Sequence, residues 1–172
     1  KAVRLSRLKT RLIAVDSSHL SAGLYRADAA HLVPLASEKK YIKKIVEICK
    51  KEKINIIFPG TDVELKALAL SKKKIESATH AKVIISSLKA VRIADDKWQT
   101  VNFLKNNDLP YPKSWLGTIG HNISGDAEFP LVVKPRVGAR SIGFSVINSA
   151  KELEKKIRSN KNLIIQEYLP QD

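Results

Sequence analysis

Phe129 to Gly143 reads FPLVVKPRVGARSIG. Leu131, Val132 and Val133 form a short apolar run that Lys134 and Pro135 close, and Arg136 to Gly143 is a turn rich in Gly, Arg and Ser. A second run, Phe144 to Ile147, follows, so the stretch predicts two strands joined by a basic loop. Chemically the loop suits a polyphosphate. Gly138 and Gly143 let the backbone approach an anion, Ser141 adds a hydroxyl, and Lys134, Arg136 and Arg140 bring positive charge. The glycines of GARSIG have the spacing of a Walker A motif, but Phe144-Ser145 stands where that motif needs Lys-Ser/Thr. The same residues also suit a solvated basic turn, and both readings stand at this point.

Working outward, Ser149-Ala150-Lys151-Glu152 is a capping box that opens a helix to Ser159, with Leu153 and Ile157 facing inward. Leu163 to Ile165 is a last strand that continues into Gln166-Glu167-Tyr168-Leu169. On the other side, Lys97 to Asn106 reads as a helix capped by Asp95 or Asp96, with Trp98, Val101 and Leu104 on its packed face. Asn107 to Pro112 is an extended exit, and Gly117 to Glu128 is polar and turn-rich.

Before residue 94 strand and helix alternate. Lys1 to Lys9 has Val3, Leu5 and Leu8 on a helical period, and Arg11 to Val15 is a strand ending at Asp16. A helix feeding a strand reads as the second half of a βαβ unit, which predicts a further strand ahead of it. Asp16 lies at a carboxyl strand end, where open α/β sheets place ligand residues, and equally suits a capping role in Asp16-Ser17-Ser18. His31 to Pro34 is a short strand. Ser37 caps a helix to about Glu52 carrying Tyr41, Ile42, Ile45, Val46 and Cys49 on one face. Ile54 to Phe58 is apolar enough for a parallel strand covered on both faces. Asp62 serves as N-cap or first-turn acid of a helix from Val63 to Ile75. Lys82 to Ile85 is another strand, and Ser86-Ser87 starts a helix to about Ile93. The alternation implies a small doubly wound domain.

Length and charge narrow the function classes. The 172 residues suffice for one domain or two small ones. No apolar run approaches the ~18 residues of a membrane span, and no secretory leader follows the basic start. Cys49 is alone and on an apolar helical face, where it reads as a structural thiol. These features point to the cytoplasm. The net charge is +14, from 31 basic and 17 acidic residues. Its lysines lie at polar helix positions with no interleaved aromatics, so they read as a solvated face before a nucleic-acid footprint. His19, His31, His80 and His121 share no metal-ligand spacing.

In this order, DDKWQTVNFLKNNDLPYPKSW, FPLVVKPRVGARSIG, the capped helix and LIIQEYL resemble the ATP-grasp superfamily, and within it the carbamoyl-phosphate-synthase-like proteins. The resemblance implies an α/β chain: a Rossmann-like pre-ATP-grasp domain with a parallel sheet over residues 1–93, including IIFPGTDVEL, then the α+β N-terminal lobe of an ATP-grasp fold, incomplete, over residues 94–172. It makes Lys97 the lysine that reaches the phosphates from beneath and Lys134 the strand lysine of the α- and β-phosphates. Arg136, Gly138, Arg140, Ser141 and Gly143 fall in the loop that closes over them. Gln166 or Glu167 would meet the adenine amino group, Gln166 standing where many members have a carboxylate, and Tyr168 and Leu169 would offer backbone groups to the adenine edge.

The implied cofactors are ATP and magnesium, with metal ligands expected beyond residue 172, so this stretch alone would not turn over ATP. No residue within it is assigned to covalent catalysis. The implied whole is an ATP-dependent carboxylate-amine ligase or carbamoyl-phosphate-synthase-like enzyme that forms an acyl phosphate from a small carboxylate, bicarbonate or amino acid. A non-catalytic nucleotide sensor or scaffold is the alternative, and a basic nucleic-acid-binding protein ranks third. An incomplete lobe that exposes apolar surface would favour homo-oligomers.

Overall fold

The computed structural model describes residues 2–5, 8–118, 123, 127–138 and 141–170. The chain divides into two compact units, Lys1–Leu88 and Lys89–Asp172. Among the described residues no helix is long and apolar enough to cross a membrane.

The first unit opens on a single turn, α1 (Ala2–Leu5), rather than a helix through Lys9. One turn is too short to sustain itself; Arg4 ties it to Asp28 at 2.7 Å, and Val3, Leu5 and Leu8 stay exposed. Strand β1 (Ile13–Asp16) pairs in parallel with β2 (Ala29–Leu32), two residues earlier than the expected strand, and β3 (Ile56–Ile57) pairs in parallel with β4 (Lys82–Val83). Asp16 caps its own turn, accepting from Ser18 N at 2.9 Å. That bond, with the Ser21 hydroxyl, holds its carboxyl below the usual range.

Helix α2 (Tyr41–Glu52) starts at Tyr41, and its N-cap Lys40 makes no side-chain bond, so Ser37 does not cap it. Glu38 folds the preceding segment into a turn instead, accepting from Leu35 N at 2.8 Å. The apolar period nevertheless gives the expected face: Tyr41, Ile45 and Cys49 are buried with Val33, Leu68, Ile75 and Val83, Ile42 and Val46 pack half-buried on the same core, and Ile48 joins it. Burial pushes the Cys49 thiol pKa up, which suits a packing role. Strand β3 departs from expectation. Only Ile54 and Ile57 pack on this core, while Ile56 and Phe58 are 51% and 66% exposed. A two-residue strand with one partner covers one face.

Helix α3 (Asp62–Thr79) begins with a capping box of Thr61 and Glu64, Asp62 being its first residue. Glu64 Oε1 accepts from the amides of Gly60 and Thr61, each at 2.9 Å, and its Oε2 accepts from Tyr41 Oη at 2.8 Å, which ties α3 to α2. Tyr41→Phe is expected to lower stability by about 1 kcal/mol, the net worth of one buried hydrogen bond, read as a lower urea midpoint with an unchanged slope.

Helix α4 (Leu88–Asp95) leads into the second unit, where α5 (Lys97–Asn106) is capped by Asp96. Strands β5 (Ser114–Leu116), β6 (Leu131–Pro135), β7 (Ser145–Ile147) and β8 (Leu163–Glu167) form one antiparallel sheet in the order β5-β8-β6-β7, with α6 (Ala150–Ser159) before β8. Side chains alternate between faces along a strand. Leu131, Val133, Leu163 and Ile165 accordingly share a core with Ile147 and with Leu153 and Ile157 of α6. Val132, Lys134, Ile164 and Gln166 fall on the opposite face, paired by register as Val132 with Gln166 and Lys134 with Ile164. Ser149 caps α6 through Glu152 N, while Glu152 Oε2 accepts from Asn148 N at 2.9 Å, one residue before the position a capping box would use. β5 lies just beyond the expected extended exit. Ile123, within the polar 117–128 stretch of sequence, is buried in the same core as Leu131.

Candidate functional site

The site grows from the end of β6. Lys134 and Pro135 are its last residues, and the loop beyond them takes backbone shapes that ordinary side chains resist: φ is +150° at Gly138, +55° at Ser141 and +79° at Gly143. Gly143 is also crowded. A Cβ there would lie 2.8 Å from Cγ and 3.0 Å from Cδ of Pro135. Gly143→Ala is therefore expected to destabilise the second unit by about 1–3 kcal/mol, from strained φ and overpacking together, and hydrogen exchange of the β6 and β7 amides reads it.

The N-terminus of α5 meets this loop. Lys97 N donates to Arg136 O at 3.0 Å, Asp96 and Val137 form an antiparallel bridge, and Lys97 Nζ donates to Gly138 O at 2.9 Å. Lys97, Lys134, Pro135, Gly138, Ser141, Ile142 and Phe144 line a cleft of about 340 Å³. None of these lining residues carries a carboxylate. Burial, and then the charge on Lys97, push the Lys134 pKa down from its ordinary value. Two ammonium groups share a partly desolvated cleft with no carboxylate among its described lining residues, an arrangement that attracts a polyanion.

Other expected residues stand elsewhere. The Arg136 guanidinium faces Asp96, with Nε 2.7 Å from Oδ1 and Nη2 2.7 Å from Oδ2. Gly143 packs on Pro135, and Arg140 lies outside the described residues. Gln166 and Glu167 end β8, outside the cleft lining. Gln166 is buried on the sheet face of Lys134, its Nε2 donating to Ser114 Oγ at 2.8 Å. Glu167 falls on the other face and accepts from Lys113 N at 2.8 Å. Tyr168 and Leu169 follow, exposed. Among the described residues no three His, Cys, Asp or Glu side chains come together as a metal set. Sequence reasoning saw Asp96 only as a helix cap, and did not single out Ile142 or Phe144 for the cleft wall. Their places beside Gly143 in the turn were the available signal.

Known proteins share parts of this sequence and fold. The family described as PylC-like, N-terminal domain, matches residues 1–84, and the ATP-grasp domain family matches residues 94–172. The carbamoyl phosphate synthase large chain of Pyrococcus furiosus is 24% identical over 178 residues, covering 98% of this chain and 17% of that protein. Among solved structures, N5-carboxyaminoimidazole synthetase from Staphylococcus aureus complexed with ADP superimposes with a TM-score of 0.72 at 17% identity, over 94% of this chain and 42% of that one. The biotin carboxylase domain dimer of Hydrogenobacter thermophilus 2-oxoglutarate carboxylase, in complex with MgADP, ADP and bicarbonate, gives 0.68 at 14% identity, over 91% and 38%. The chain thus spans under a fifth of the P. furiosus protein and about two fifths of these two structures. Residues 1–84 thus carry a PylC-like N-terminal domain and residues 94–172 an ATP-grasp domain, in a chain with sequence similarity to carbamoyl phosphate synthase large chains and a mixed α/β fold shared with these structures.

Proposed function

We propose that this chain is the nucleotide-binding front part of an ATP-dependent ligase, residues 94–172 forming the first lobe of its ATP-grasp module and residues 1–93 the Rossmann-like domain before it. The observation that carries the reading is the convergence of Lys97 and Lys134 on one cleft that Gly138 and Ser141 also line. Lys134 takes the α- and β-phosphates on the strand and Lys97 takes phosphate oxygens from the helix side. Gly138, Ser141 and Gly143 let the loop fold over them. Gln166, on the Lys134 face of the sheet and opposite Val132, is the side chain we assign to the adenine amino group, with Tyr168 and Leu169 beyond it for the ring edge.

In the whole enzyme, an oxygen of a carboxylate or of bicarbonate attacks the γ-phosphorus and ADP leaves. An amine then attacks the acyl carbon and phosphate leaves. Residues of this chain serve by positioning and charge stabilisation, since phosphoryl transfer needs little covalent help from protein. Magnesium, when bound, would supply charge neutralisation at the phosphates. Among the described residues no three His, Cys, Asp or Glu side chains come together to fit a magnesium ion.

The test is ADP release by the full natural chain with magnesium and ATP, across bicarbonate, amino acids and small carboxylates, with Lys134→Ala alongside. Release that rises with one acceptor and collapses in the variant is the expected result, and names the substrate class. ATP binding with no release across the panel would favour a nucleotide sensor; no ATP binding would end the reading.

A further inference from the structure

We propose that Asp96 and Arg136 are positioning residues that set Lys97 against Lys134, the Arg136 guanidinium being engaged by the protein's own carboxylate and not by phosphate. The proposal rests on the nucleotide reading of the cleft.

The Asp96 carboxylate does two jobs at once. Its Oδ1 accepts from Trp98 N at 3.0 Å and from Gln99 N at 3.3 Å, which closes the first turn of the helix that begins at Lys97. The same carboxylate receives the Arg136 fork, with Nε at 2.7 and 2.9 Å from its two oxygens and Nη2 at 2.7 Å. Fork-to-carboxylate pairs of this kind fix direction as well as distance. Around the pair the main chain is tied as well, Lys97 N to Arg136 O at 3.0 Å and Asp96 to Val137 by a bridge. The start of α5 is thereby pinned to the second residue after Lys134, and the spacing of the two lysines follows from that joint.

The charge balance points the same way. Burial opposes ionisation of Asp96, but the Arg136 hydrogen bonds and the amides of Gln99 and Trp98 outweigh it and hold the carboxyl below its usual range, so it is an anion at neutral pH. An anionic carboxylate adjoining Lys97 in the chain would compete with phosphate for that ammonium. Arg136 takes it up. Lys97 is left bonded to the Gly138 carbonyl, a neutral partner that a phosphate oxygen can displace. Removing Arg136 therefore does harm twice: it loosens the joint and it releases a competitor for Lys97.

A group that acts only through Lys97 has no effect once Lys97 is gone, and this decides the matter. ADP affinity is measured by calorimetry for the full natural chain, Arg136→Met, Lys97→Met and the double variant, with unfolding midpoints alongside. Arg136→Met is expected to weaken ADP about tenfold when Lys97 is present and less than about twofold when it is Met. Asp96→Asn, which keeps a good helix cap and loosens the joint without releasing a competitor, is expected to give a smaller loss, of about threefold, that likewise vanishes when Lys97 is Met, and decides the test if Arg136→Met does not fold. Equal losses in both backgrounds overturn the proposal, because Arg136 would then touch phosphate itself or merely support the fold. No loss in either background overturns it too. An unmutated chain that fails to bind ADP defeats the nucleotide reading, a failure visible before any variant is made.

Discussion

Lys134→Met is expected to weaken ADP and ATP binding by about a hundredfold, roughly the worth of one to two charge-assisted contacts, while leaving the unfolding midpoint unchanged or raised. The two effects separate because the lysine is poorly placed for the empty protein. Burial and the neighbouring Lys97 charge lower its pKa, so the folded state disfavours its ammonium relative to the unfolded chain. For a base, a folded pKa below the unfolded value means a stability penalty that is full below the folded pKa and relieved as pH rises through it towards about 10.4. Methionine keeps the apolar stem and removes the penalty at neutral pH. A polyphosphate reverses the balance by supplying the missing counter-charge. Affinity should hold while Lys134 is protonated and fall as pH climbs through its lowered pKa, and the Met variant should lose that limb of the profile. Calorimetric titration with ADP between about pH 7 and 10, beside thermal unfolding, checks both halves; a variant that loses binding and stability together would make Lys134 a structural lysine.

Much of this was legible in the sequence because short-range signals carried it. Asp96 before a helical period, Ser149 with Glu152, and two apolar runs around a basic turn are local features, and the structure places α5, α6 and the β6–β7 pair accordingly. The failures have a common cause. Ser37 lost the α2 cap because Glu38 offered a competing turn to the same backbone, and Ile54 to Phe58 looked covered on both faces because its composition says nothing of how many neighbours a strand finds. β5 is three residues long, too few to show a period. Residue type pointed to Lys134 and Gly138, which stand in the lining of the cleft. The Asp96–Arg136 pair spans 40 positions and became visible only when β6 and α5 were set side by side.

Ile165→Ala is expected to cost the second unit about 3–5 kcal/mol, the range for emptying a buried aliphatic site that cannot collapse. The site is held on every side. Ile165 is fully buried in β8, opposite Trp115 of β5 and Val133 of β6, within the core shared with α6. Main-chain ladders on both flanks prevent the strand from closing the void. The control is Val146→Ala on β7, 39% exposed, whose loss should stay below about 1 kcal/mol. The cavity also reaches the proposed nucleotide site, because the next two residues are fixed by the same strand pairing: Gln166 on Ser114 and Glu167 on Lys113. ADP that binds only the folded lobe should return about 2.7 kcal/mol at a hundred times its dissociation constant. Ile165→Ala is therefore expected to regain much of its midpoint when ADP is added, and Ile165→Ala/Lys134→Met to regain almost none at the same concentration. Equal rescue of both would mean that ADP stabilises the chain somewhere other than the cleft between Lys97 and Lys134.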